Sequence, residues 1–159
     1  MNSLIQLGDL LFFMNISTAN MSQMVTDKSN IQPSKTASGA GTAFLVKESA
    51  TILNSTAHSY SSFEYSSITL KITKTLLTIF NIYRPPPSSS HSQPFSTFLN
   101  QFSSFLSSAA TTLHDFIIAG DFNIHVDDPL DSQSIQFSSG FDCWTSTVFR
   151  LHRRHVGNH

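Results

Sequence analysis

The sequence predicts an α/β or α+β layered domain, and three observations carry that expectation. The stretches "TAFLVK", "SSFEYSSITLKIT" and "TLLTIFNIY" are rich in β-branched and aromatic residues and lack a helical period, as strands do. Phe95, Phe98, Leu99, Phe102, Phe105 and Leu106 recur at three- and four-residue steps, which places them on one side of a helix beginning near Pro94. A further apolar strand, Phe116 to Ala119, follows, so strands precede and succeed the helix along the chain.

The first forty residues have scattered apolar positions without a sustained period, and "SKTASGAG" then supplies small residues typical of a loop. From Thr42 the strand pattern begins. The third strand is nearly continuous in apolar residues, as a strand covered on both faces would be. Pro85, Pro86 and Pro87 end it, because proline cannot donate to a strand ladder. The phenylalanine stripe that follows faces a core; each fully buried side chain of this size contributes on the order of 1.5–3 kcal/mol, enough in sum to dock the helix. The opposite side of that helix is serine-rich and free of lysine, which argues against a lipid-binding face.

Composition bounds the function. A chain of 159 residues suffices for one domain with a core. Charged residues make up only 12%, so serine and threonine carry much of the surface polarity. A net charge of -1 provides no overall attraction to polyanions, and nucleic-acid binding would need a local patch. The single cysteine, Cys143, cannot form an internal disulfide, which suits an intracellular chain, nuclear or cytoplasmic, better than a small secreted scaffold. The apolar residues 1–14 lack a basic flank and are interrupted by Asp9, unlike a secretory signal. No uncharged apolar run reaches the roughly 18 residues that a membrane span requires. Sequons at Asn15 and Asn54 would matter only in a secreted protein.

The chemistry concentrates in "IIAGDFNIHVDD", where an apolar strand runs into a glycine, an aspartate and an asparagine. Gly120 permits a tight backbone path, and Asp121 and Asn123 can both project from the strand end. A carboxylate there can hold a water, a metal or a histidine, and an amide can donate to a phosphate oxygen. The competing reading of an isolated D-x-N is an Asx-turn or helix cap. A calcium loop fails, because Val126 stands where glycine is needed and Ser132 where a bidentate glutamate is needed.

"GDFNIH" after an apolar strand, preceded by "TIFNIYRPP" and by "GAGTAFLVKES", resembles the endonuclease/exonuclease/phosphatase superfamily, and specifically the endonuclease domain of non-LTR (LINE-type) retrotransposons. The resemblance runs from about Gly39 to about Gln136. It implies an incomplete two-sheet αββα sandwich and a magnesium-dependent phosphodiesterase that nicks DNA. It also implies three segments: residues 1–38 divergent and poorly ordered, 39–137 a partial domain of this type, and 138–159 a divergent tail. By the same resemblance Asp121 positions or activates the attacking water, Asn123 holds the scissile phosphate, and Tyr83 lies beside it. Asn81 and Arg84 are the implied substrate contacts, and His125 is a local structural feature.

Two parts of the family pattern are missing. The metal-binding glutamate should precede Gly39, yet the first glutamate is Glu48, and the S-D-H element that carries the histidine partner does not occur. From Ser138 the sequence departs from the pattern and loses strand-like alternation. Arg150 to His155 suggest a basic patch, or a zinc site with Cys143, but the spacing matches no standard finger. Loss of a general acid/base typically lowers rates by about 10²–10⁴, and loss of the metal removes several kcal/mol more. The expectation is therefore a truncated, inactive endonuclease domain with no metal ligand identified; the alternatives are a non-catalytic nucleic-acid or protein interaction remnant, or an unstable product of a decayed copy.

Overall fold

A computed structural model of the chain describes residues 3–7, 10–14, 29–33, 42–47, 50–88, 93–125, 128, 130–145 and 149–151. It contains two sheets. The first has the order β1-β2-β4-β3, all antiparallel, from β1 (Ser3–Leu7), β2 (Leu10–Met14), β3 (Ser29–Pro33) and β4 (Thr42–Lys47). The second has the order β5-β6-β7-β8-β9, from β5 (Thr51–Ser59), β6 (Glu64–Ile72), β7 (Thr75–Tyr83), β8 (Asp115–Asp121) and β9 (Phe149–Leu151). Its β5–β6 and β6–β7 pairs are antiparallel, and its β7–β8 and β8–β9 pairs are parallel. Two parallel neighbours require a long crossover, and helix α1 (Phe95–Ala109) lies within the one between β7 and β8. A second helix, α2 (Ser132–Thr145), follows β8.

β7 is covered on both faces, as its apolar run implied. On one face Ile79 joins Phe44 and Val46 of β4, Ile68 and Leu70 of β6 and Ala119 of β8 in a core between the sheets. On the other, Ile82 and Phe80 pack with Phe98, Phe102, Phe105 and Leu106 of α1. Every position of the sequence-predicted helical stripe is buried or packed against that second core, with Phe95 and Leu99 at its margin. No side chain caps the N-terminus of α1 at Pro94. Its last turn is closed by the hydroxyls of Thr111 and Thr112, which donate to Ser108 O at 2.7 Å and Ala109 O at 2.6 Å.

The described residues before Gly39 form β1, β2 and β3, strands of five residues each that pair with one another or with β4. Two further elements lie where the sequence pattern shows no strand or helix. β5 has no apolar alternation because it is an edge strand, exposed along nearly its whole length. α2 crosses Ser138: Asp131 caps it by accepting the Ser134 amide at 2.8 Å, and Phe137 and Phe141 bury against α1. The histidines from His152 onward and the side chain of Cys143 lie outside the described residues. No helix among the described residues is long and apolar enough to cross a membrane.

Candidate functional site

Strand register assembles the site. Tyr83, the last residue of β7, pairs with Asp121, the last residue of β8, and with Glu64, the first residue of β6. Residues paired directly across a sheet project to the same face, so Glu64, Tyr83 and Asp121 form a row along one end of the sheet. One step below, Ser66, Asn81 and Ala119 form the next row on that face. It is the face that meets the first sheet, to which it is tied by a buried Thr42–Ser66 hydroxyl pair at 2.6 Å. The row sits at the carboxyl ends of two parallel strands, where open α/β sheets characteristically receive ligands.

The turn after β8 fixes Asp121. Its Oδ1 accepts the Asn123 amide at 3.1 Å, an Asx-turn, with Asn123 at φ 48. The Asn123 side-chain Nδ2 donates to the Arg84 carbonyl at 2.5 Å, and the Arg84 amide donates to the Asp121 carbonyl at 2.9 Å. These bonds extend the β7–β8 pairing past the strand ends and lock the two turns together. Asn123 therefore braces the Asp121 turn with the amide that the resemblance assigned to a phosphate.

Arg84 and Asn81 are both buried, on opposite faces of the strand end. Arg84 is 5% exposed and follows the face of Ile82, away from the row. Its Nη1 donates to Phe122 O and Gln133 Oε1, both at 3.1 Å, and to Asn123 O at 3.4 Å. The guanidinium lies 4.8 Å from the Phe95 ring centroid and 4.9 Å from that of Phe98. Burial lowers its pKa from the ordinary value, and the Asp131 carboxylate opposes that shift. Through Nη1 it clamps the turn after β8 to α2, and its guanidinium plane packs on the α1 phenylalanines. Asn81 is 0% exposed and lies beneath Tyr83, so it supports the row and does not reach solvent.

Glu64, 9% exposed, was not singled out in the sequence. It occurs in an unremarkable "FEYSS", and only the antiparallel pairing of β6 with β7 puts it beside Tyr83. Both carboxylates act on that phenol. The Tyr83 pKa is raised above the ordinary value by burial first, then by Asp121 and Glu64. Tyr83 thus remains a protonated donor through the neutral range. Because folding favours its protonated form, its contribution to stability is complete below the unfolded value near 10 and is lost as pH rises through the higher folded value. Stability measured by urea unfolding is expected to fall above pH 10, and less steeply in Tyr83→Phe; identical slopes for the two proteins would refute this.

A cleft of about 240 Å³ opens beside Glu64 and Tyr83, walled by the β5–β6 turn and by Pro85 and Pro86. Among the described residues no three His, Cys, Asp or Glu side chains are grouped so as to hold a metal ion.

The two-sheet sandwich with its helices is the fold of the endonuclease/exonuclease/phosphatase superfamily, in partial form. Solved structures share it. TDP2 from Caenorhabditis elegans matches with a TM-score of 0.59 at 15% identity, over 75% of this chain and 39% of that one. A D. rerio TDP2 humanized by 14 mutations matches with a TM-score of 0.62 at 13% identity, over 81% and 52%. D. rerio TDP2 complexed with single strand DNA product matches at 0.60 and 13%, over 80% and 51%. This chain therefore spans between 39% and 52% of these structures. No protein-family profile and no curated protein matches it.

Proposed function

We propose that the Tyr83–Asp121 row grips a nucleic-acid phosphodiester, and that the chain is part of a divalent-metal-dependent DNA endonuclease domain of the LINE-type retrotransposon branch, inactive by itself. The observation that carries the reading is the β7–β8 register, which sets the two side chains next to each other at the carboxyl ends of parallel strands. The Tyr83 hydroxyl donates to a phosphate oxygen, and the raised pKa keeps its proton in place. The Asp121 carboxylate, braced by Asn123, is placed to hold a water beside the phosphate. The similarity to a TDP2 that binds single strand DNA product supports DNA as the partner, and a nuclear or cytoplasmic location accords with it.

Magnesium suits the donor chemistry, since it takes hard oxygen ligands and is commonly held by one or two carboxylates, waters and substrate phosphate. Asp121 would hold it, and the ion would neutralise phosphate charge. The row is no preformed cage, however. Strands about 4.8 Å apart place the Glu64 and Asp121 backbones roughly 10 Å from each other with Tyr83 between them. A site resting on one carboxylate supports binding better than turnover.

In magnesium, the protein is expected to bind a DNA oligonucleotide, and Tyr83→Phe to weaken binding roughly 10- to 100-fold, the worth of a hydrogen bond to a charged group. Supercoiled plasmid should be nicked no faster by the wild type than by Asp121→Ala. Magnesium-dependent nicking that Asp121→Ala abolishes would overturn the inactive assignment. Equal oligonucleotide affinity of Tyr83→Phe and wild type would overturn the phosphodiester grip.

A further inference from the structure

The cleft beside the row differs from it in chemistry. At about 240 Å³ it is smaller than the roughly 300–1,000 Å³ of pockets for drug-sized ligands, and it suits a single nucleoside. Its walls combine aromatic rings and prolines with serine hydroxyls and the Glu64 carboxylate. The Tyr60 ring stacks on Phe63 with centroids 4.6 Å apart and planes at 23°. Phe63 in turn meets Phe98, Phe102 and Phe105 edge-on at 5.8, 6.0 and 6.0 Å, so the aromatic platform is anchored in the helix core. Pro85 and Pro86 also line the cleft.

The turn that carries Tyr60 is held rigid. Its amide donates to Phe63 O at 2.8 Å. Gln101 of α1 accepts from the Ser62 amide at 3.1 Å and the Ser62 hydroxyl at 2.7 Å, and its Nε2 donates to Ser61 Oγ at 2.7 Å. A platform fixed before the ligand arrives loses little entropy on binding.

Charge selects the ligand. Among the described residues no lysine or arginine lines the cleft and the carboxylate there is Glu64, so a second phosphate is disfavoured. A carboxylate accepts from the exocyclic amino group of a base and is repelled by a carbonyl at the same position. Glu64 and Tyr83 belong to both the cleft and the row and so join the two.

We propose that this cleft is a nucleobase subsite that takes one unpaired amino-bearing base, with the base stacked on Tyr60 and its amino hydrogens accepted by Glu64. The choice of a nucleic-acid ligand rests on the phosphodiester reading of the neighbouring row. The subsite deepens that reading by making the protein selective for a base flanking the phosphate.

The test uses uncharged nucleosides, which contain no phosphate and so probe the cleft without the phosphodiester grip. Deoxycytidine and thymidine are titrated into the full chain and followed by ligand-observed NMR. Deoxycytidine is expected to bind on the order of tenfold tighter than thymidine. Glu64→Gln should bring the two affinities together, Tyr60→Ala should lower both about tenfold, and Tyr60→Phe should restore them. The unfolding transition of each variant confirms that it is folded. Equal binding of the two nucleosides, an unchanged preference in Glu64→Gln, or no saturable binding would overturn the subsite. Failure of oligonucleotide binding with the nucleoside preference intact would instead count against the row.

Discussion

Phe102→Ala is expected to reduce the unfolding free energy by about 3–5 kcal/mol, the usual cost of truncating a fully buried phenylalanine. Phe102 is 0% exposed and sits where the second core's elements meet. Its ring stacks on Phe98 at 5.4 Å and Phe105 at 5.7 Å within α1. It meets Phe63 of the β5–β6 turn at 6.0 Å, Phe122 after β8 at 5.5 Å, and Phe141 of α2 at 5.2 Å. The cavity would thus open among four separate segments, and no single side chain can swing in to fill it. A domain typically has only about 5–15 kcal/mol in total, so the loss takes a large share of its stability. Urea unfolding followed by circular dichroism should show a lower midpoint at unchanged slope; a loss below about 1 kcal/mol would show that this aromatic cluster does not hold the helices to the sheet.

Gly120→Ala is expected to cost about 3 kcal/mol, at the upper end for overpacking, because the new methyl would meet backbone. A Cβ at Gly120 would stand 2.8 Å from the carbonyl carbon and from the amide nitrogen of Ile82, and closer still to its carbonyl oxygen. Ile82 is the register partner of Gly120, so the strain would push β7 and β8 apart next to Tyr83 and Asp121. The variant should therefore lose oligonucleotide binding even under conditions where it stays folded. Binding equal to wild type in a folded Gly120→Ala protein would mean that the close approach of the two strand ends is not what sets the site.

Legibility in the sequence followed burial. β4 and β7 were readable to their last residues, because burial selects their side chains: Phe44 and Val46 of β4 enter the core between the sheets, and β7 divides its apolar run between both cores. α1 was readable from its phenylalanines for the same reason. β5 was not, since an exposed edge strand has no buried face to impose a pattern. α2 left fainter signals, an Asp131 cap followed by Ser134, Phe137 and Phe141 at three- and four-residue steps, and the departure from the family pattern at Ser138 obscured them.

The candidate site divides along similar lines. Asp121, Asn123 and Tyr83 stand out in "GDFN" and "NIY" as polar groups ending apolar strands. The residue types, the strand ends and the α+β layering were thus settled by the chain itself, because burial periodicity and turn chemistry are local properties. Which groups face one another was decided only in three dimensions. Pairing of β6 with β7 brought Glu64 to Tyr83, parallel pairing of β7 with β8 brought Asp121 to its other side, and the strand alternation that turned Tyr83 into the site turned Arg84 to the helices. Register between distant segments is a tertiary quantity, fixed by the two cores jointly, and no local pattern encodes it.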